Sequence, residues 1–184
     1  MGEKFLNRNS TKIALAGILT ALGAAVLFLE NIFPTGKLGF YALAGFILSA
    51  VVIECGLSFG WISYAVVSLV SFLLVPEKTA VIPYILFFGM YSMVKSHIEK
   101  LNRLIAEWIL KFAFFNLSLF FMWNIAVKVL ELIPSNLLAT LPLYAVVLLL
   151  QAAFFGYDWV FTFWVQYYLK RIQPKIHGNR NSGR

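Results

Sequence analysis

The residues that carry chemistry in this chain are few, and several stand where the surrounding sequence is apolar. Glu30, Glu54, Lys111, Lys128 and Asp158 lie within or at the ends of long apolar runs, with Asn116 and Asn124 among them. An ionisable side chain at a bilayer centre costs about 2.5–3.5 kcal/mol on insertion scales, so such groups turn inward, pair, or snorkel to the interface. The two histidines, His97 and His177, fall in polar flanks, and Cys55 is the single cysteine. No CxxC or HExxH spacing and no Cys/His cluster exists, so no metal site is expected. The acids do not group as an acid/base pair, the hydroxyls have no partner base, and no Gly-rich phosphate loop appears. The set points to binding or structural pairing. No enzymatic activity, no cofactor and no ATP hydrolysis by this chain is expected.

The composition supplies the setting. The chain has 184 residues, 61% of them hydrophobic and 12% charged, with a mean hydropathy of +0.82. A water-soluble domain of this size has too much surface to hide that apolar content. The runs are continuous rather than alternating, which points to membrane helices and not a barrel. The expected fold class is all-α and polytopic: six transmembrane helices, at about 12–32, 38–55, 59–75, 80–95, 107–132 and 138–168. Residues 1–10 form a basic N-terminal stretch, 11–169 a single membrane domain, and 170–184 a basic tail. Phe33 to Lys37 and Pro76 to Thr79 read as turns, and the break between the second and third spans falls in Gly56–Gly60. Pro83 falls in the first turn of the fourth span, where it is tolerated. That span continues into Lys95–Ile105, whose Ile98, Leu101, Leu104 and Ile105 form one stripe of an expected amphipathic surface helix. No cleavable signal peptide is expected.

The net charge of +7 follows membrane topology rather than nucleic-acid binding. With a cytoplasmic N-terminus, eleven of the fifteen Lys and Arg fall on the inner side, Lys37 and Lys78 fall outside, and Lys111 and Lys128 lie within a span. Both termini are therefore expected in the cytoplasm, in a cell (plasma) membrane. The polar residues then sort into two layers. The outer one holds Glu30, Asn31, Lys37, Tyr41, Glu77, Lys78, Tyr84, Trp123, Asn124, Lys128 and Glu131. Of these, Glu30, Lys37, Tyr41, Tyr84, Asn124 and Lys128 are the candidate binders of a small polar molecule: charges of both signs beside aromatic rings. Solvation in loops, or snorkelling for Lys128, is the alternative. The inner layer holds Glu54, Lys95, Lys111, Asn116 and Asp158. Glu54, Lys111, Asn116 and Asp158 are read as buried structural polar groups, with a Glu54–Lys111 or Asp158–Lys111 pair neutralising charge between helices.

The first span is different in kind. Ala14, Ala16, Gly17, Thr20, Ala21, Gly23, Ala24 and Ala25 are small, whereas Leu15, Ile18, Leu19, Leu22 and Val26 share an arc of about 100°. The bulky arc is expected to face lipid, and the small residues to admit another helix at close range.

Thr11 to Leu22, with its small residues at four-residue spacing (Gly17, Ala21, Ala25 and Ala16, Thr20, Ala24), resembles the first helix of the substrate-binding subunits (S components) of energy-coupling factor transporters. The length, the six short-looped spans and the basic N-terminus are similar to that family over about residues 10–170. The resemblance implies import of a vitamin or related micronutrient. It also implies a coupling transmembrane subunit and cytoplasmic ATPases as separate chains. Docking would run through Ala14, Gly17, Ala21, Ala24 and Ala25, with a pocket near the outer surface gated by Phe33–Lys37. The expected partners are thus a small-molecule substrate, membrane lipid and those subunits, with no nucleic acid. The alternative is a non-transporting membrane scaffold whose stripe holds a permanent partner helix.

Overall fold

A computed structural model describes residues 2–33, 35–101, 103–125 and 143–174. All elements among them are helical. In order they are α1 (Gly2–Ile32), α2 (Lys37–Cys55), α3 (Leu57–Leu74) and α4 (Lys78–Pro83); a π-helical turn (Tyr84–Phe88); α5 (Gly89–Ile98) and a 3-10 turn (Glu99–Leu101); and α6 (Leu104–Asn124) and α7 (Leu143–Tyr167), the last continued by a second π-helical turn (Tyr168–Ile172). Six stretches among the described residues are long and apolar enough to cross a membrane: Ser10–Ile32, Lys37–Cys55, Leu57–Leu74, Lys78–Leu101, Leu104–Asn124 and Tyr144–Ile172. The protein is a multi-pass helical membrane protein. The chain divides into two compact units, Met1–Lys111 and Phe112–Arg184.

In the first unit, two glycines set the turns. Gly36 has φ +82° and Gly56 φ +100° with ψ 170°, backbone that side-chain-bearing residues rarely adopt. The expected five-residue break at Gly56–Gly60 shrinks to Gly56 alone. Its N–H closes α2 on the Val52 carbonyl (3.0 Å) and its carbonyl accepts the Gly60 N–H (3.1 Å). Gly60 instead lies inside α3 as a contact point, because a Cβ there would sit 2.5 Å from Val52 Cγ2. The Lys78 ammonium donates to the Phe72, Leu73 and Val75 carbonyls and so caps the end of α3.

The fourth span departs from expectation twice. It starts at Lys78, which puts Pro83 beyond the first turn, and the helix widens into the π turn directly after it. Proline gives no N–H to the preceding turn, and the Tyr64 hydroxyl supplies a donor to the widened segment at the Ile85 carbonyl (2.8 Å). Lys95–Ile105 is not one amphipathic helix. Lys95 and Ile98 are buried in the last turn of α5, whereas Leu104 and Ile105 are exposed in the first turn of α6, and the chain tightens between them at Glu99–Leu101. The four apolar residues therefore fall in three elements, Ile98 in α5, Leu101 in the 3-10 turn and Leu104 and Ile105 in α6, and do not form one stripe.

The core of this unit is small and ring-rich. Ala16, Val51 and Cys55 form one cluster, with Leu15, Leu19 and Phe59 packed on it, and Val75, Ala80 and Val81 form another with Ile85. Ser92 ties α5 to α2 by donating to the Gly45 carbonyl (3.0 Å). The expected lipid arc of α1 is corrected here. Ile18 and Leu22 are exposed, but Leu15 and Leu19 pack on the Ala16 cluster and Val26 is buried. The reason is that α1 meets both α2 and α3, a contact arc wide enough to take in one edge of the bulky stripe.

The second unit pairs α6 with α7. Phe154, 2% exposed, stacks on Phe115 (centroids 4.4 Å, 12°) and meets Phe112 edge-on (5.3 Å, 67°). Asn116, expected to be buried, is exposed. Its amide donates to the Phe112 carbonyl and accepts from Gln151 Nε2, both at 2.8 Å, so its polar atoms are satisfied without a buried site.

Candidate functional site

Helix directions bring the last turn of α1, the first turns of α2 and α4 and the last turn of α3 to one end of the first unit. A polar cluster sits there. Glu30, two residues before the end of α1, is 1% exposed. Burying a carboxylate is costly unless it is paired and hydrogen-bonded. Here its Oε1 accepts the Tyr41 hydroxyl (3.1 Å) and lies 3.4 Å from Lys37 Nζ. Tyr41 is itself buried, at 4%. The Lys37 side chain is 39% exposed and is shared, with Glu77 Oε2 at 3.2 Å. Glu77 also accepts the Thr79 hydroxyl (3.0 Å). The hydrogen bond from Lys37, with a second from Thr79 and the Lys37 charge, holds the Glu77 carboxyl below its ordinary range.

Aromatic rings border the cluster. Phe33 and Phe40 stack beside Lys37 (5.7 Å, 19°), and Phe33 is 50% exposed. Tyr41 meets Phe88 of the π turn at 5.7 Å. Of the six residues expected to bind a small molecule, the structure joins Glu30, Lys37 and Tyr41. Tyr84 is set apart from them: fully buried, its ring lies 6.4 Å from that of Tyr64 and its hydroxyl makes no hydrogen bond among the described residues. Asn124 is half-buried and donates to the Phe120 carbonyl of its own helix (2.8 Å). Lys128 and Glu131 lie outside the described residues.

The small residues of α1 fall into two sets. Ala16 and Gly23 are buried against the unit, whereas Ala14, Gly17, Ala21 and Ala25 are exposed. Gly17, Ala21 and Ala24 form one wall of a groove of about 440 Å³, with Ile62, Val66 and Val70 of α3 as the other. A Cβ added at Gly17 would meet nothing within 4 Å. Thr20 donates to the Ala16 carbonyl (2.6 Å) and shares a hydrogen bond with the Ser63 hydroxyl (2.8 Å), so these two hydroxyls are satisfied within an otherwise apolar groove.

Toward the other end of the unit, Lys95 (3% exposed) and Lys111 (5%) both lie 3.3 Å from Glu99 Oε1. Each ammonium also stands over a ring, Tyr91 at 5.7 Å and Trp108 at 5.4 Å. Glu99 is missing from the sequence reading; its i, i+4 spacing from Lys95 is the signal for it. Glu54 is partly buried, and Asp158 is 3% exposed with its carbonyl accepting the Thr162 hydroxyl (2.8 Å). The second unit carries an apolar pocket of about 510 Å³ bounded by Asn116, Phe120, Met122, Trp123, Val147 and Leu150. No group of three or more potential metal ligands exists among the described residues.

Compared with protein-family models, with curated proteins and with solved structures, the chain matches none.

Proposed function

We propose that the protein is the membrane-embedded substrate-binding subunit of an ATP-driven importer of a vitamin or related small molecule, lying in the plasma membrane with both termini in the cytoplasm. The observation that carries the reading is the open groove along α1. A face of Gly17, Ala21 and Ala24, beside which an added Cβ at Gly17 meets nothing, suits a partner helix that must approach closely and leave again. The partner in this reading is a separate coupling subunit in the membrane, and cytoplasmic ATPases supply the energy. The Glu30–Lys37–Tyr41 cluster is the substrate end. The distribution of Lys and Arg supports the orientation, placing that cluster outside and the Lys95–Glu99–Lys111 network inside.

The test is purification from cells grown in rich medium. Mass spectrometry of the heat-released fraction is expected to give one small molecule in near-stoichiometric amount, and affinity capture to bring down ATPase chains. Stoichiometric capture of another membrane protein with neither small ligand nor ATPase would replace this reading by that of a scaffold.

A further inference from the structure

We infer that the turn between α5 and α6 is a docking surface for an anionic phospholipid, with the Lys100 ammonium and the Arg103 guanidinium on its headgroup phosphate and Leu101, Leu104 and Ile105 against its acyl chains. The inference stands on the membrane character of the chain and does not depend on the importer reading.

The position of the turn carries it. Lys78–Leu101 and Leu104–Asn124 are each membrane spans in length and composition, so the chain between them turns at the level of the lipid headgroups. Lys100 and Arg103 stand at this turn, both exposed. Three residues apart, their Cα atoms lie at most about 11 Å from each other, within the joint reach of two long side chains. Neither side chain makes an ion pair or a hydrogen bond among the described residues. The nearby carboxylates do not neutralise them. Glu99 turns its Oε1 to the buried Lys95 and Lys111, at 3.3 Å from each. Glu107, one turn after Arg103, meets it only through the backbone, its N–H donating to the Arg103 carbonyl (2.9 Å).

The neighbours of the two cations are apolar and bare. Ile105 and Leu104, 78% and 76% exposed, are the two most exposed large apolar side chains among the described residues, and Leu101 is exposed beside them. Such side chains at the first turn of a membrane span face acyl chains, and cations directly before them stand at the phosphates. A soluble anion would meet the cations and leave the three apolar side chains uncovered; a phospholipid meets both. Arginine supplies a planar fork for phosphate oxygens and lysine a mobile point charge. Each strengthens attraction to an anionic surface about fivefold. The amphipathic pattern of Lys95–Ile105 thus serves the membrane surface through a turn between spans rather than through a helix lying flat on it.

The test uses the full-length protein, delipidated in a non-ionic detergent and titrated with dioleoylphosphatidylglycerol or dioleoylphosphatidylcholine, with retained lipid counted by native mass spectrometry. Phosphatidylglycerol is expected to bind saturably and about tenfold or more tightly than the zwitterionic lipid. Lys100→Gln/Arg103→Gln is expected to lower the affinity for the tightest-bound phosphatidylglycerol by about ten- to thirtyfold, with phosphatidylcholine binding and the unfolding midpoint unchanged. Lys170→Gln/Arg171→Gln removes the same charge from exposed residues of the other unit and is expected to keep that affinity within about twofold. Glycerol 3-phosphate in large excess is expected not to displace the lipid. Equal binding of the two lipids by the unaltered protein overturns the inference whatever the variants do. Equal loss in the two double variants overturns it in favour of diffuse charge attraction, and displacement by glycerol 3-phosphate in favour of a plain phosphate site. A Lys100/Arg103 variant that keeps phosphatidylglycerol and loses a co-purified protein instead makes the turn a protein contact and overturns it too.

Discussion

At the level of single residues, Lys37 is the hinge of the account. It divides its charge between a buried and an exposed carboxylate, and the exposed one reports on it. The Glu77 carboxyl titrates below the ordinary value of 4.5, chiefly because Lys37 donates to it. A depressed folded-state value means that this pairing contributes to stability above pH 4.5 and is lost as the pH falls through the lower folded value. In Lys37→Met, the Glu77 carboxyl is expected to move back up toward 4.5, which a carbon-13 NMR titration of labelled glutamate measures. An unchanged midpoint would mean that Thr79 alone sets it. Exposure keeps the energetic effect small. Some of this residue-level detail is readable in the chain. Glu30 at the end of an apolar run, two turn residues with Pro and Gly, and then Lys37 and Tyr41 announce a polar end. That Glu77 joins through Lys37 is not readable, since a contact 40 residues apart depends on how the hairpins fold together. Tyr84 shows the same limit in reverse: its position in a span says that it is near the outer layer, and only packing decides that it turns into the core.

At the level of elements, positions where helices touch matter more than helix propensity. Gly60 allows α2 and α3 to meet, and Gly60→Ala is expected to destabilise the protein by about 1–3 kcal/mol through overpacking against Val52, read from the midpoint of thermal or denaturant unfolding in detergent. A shift within error would show that Val52 rotates away freely. The π turn after Pro83 is held by the Tyr64 hydroxyl. Tyr64→Phe removes a hydrogen bond worth about 1 kcal/mol, so the amides of the Phe88–Gly89 region are expected to exchange about fivefold faster by hydrogen–deuterium exchange. Here the sequence carries the helices almost whole, because runs of 18 or more apolar residues leave little choice in a membrane. The boundaries it misses have local causes. The Lys95–Ile105 stripe satisfies a helical period, yet burial of Lys95 on Glu99 and the tightening of the chain at Glu99–Leu101 break it into two helices. The bulky arc of α1 is a genuine periodicity, but periodicity cannot say how many neighbours a helix has.

At the level of the whole molecule, the first unit presents a charged cluster at one end and a groove along α1. The small residues at Gly17, Ala21 and Ala24 were legible as a stripe; that Ala16 and Gly23 are taken up inside while those three remain open follows only from the contacts of α1 with α2 and α3. Adding bulk on the open side should leave the fold intact, since nothing lies within 4 Å of a Cβ at Gly17. The most direct measurement is affinity capture of Gly17→Leu/Ala21→Leu beside the unaltered protein, scored for ATPase chains by mass spectrometry, with thermal unfolding and bound small molecule followed in the same samples. The account predicts ATPase capture by the unaltered protein, its loss in the double variant, and an unchanged unfolding midpoint and ligand content in both. Full retention of the ATPases by a folded double variant would contradict the docking face on which the proposed function rests.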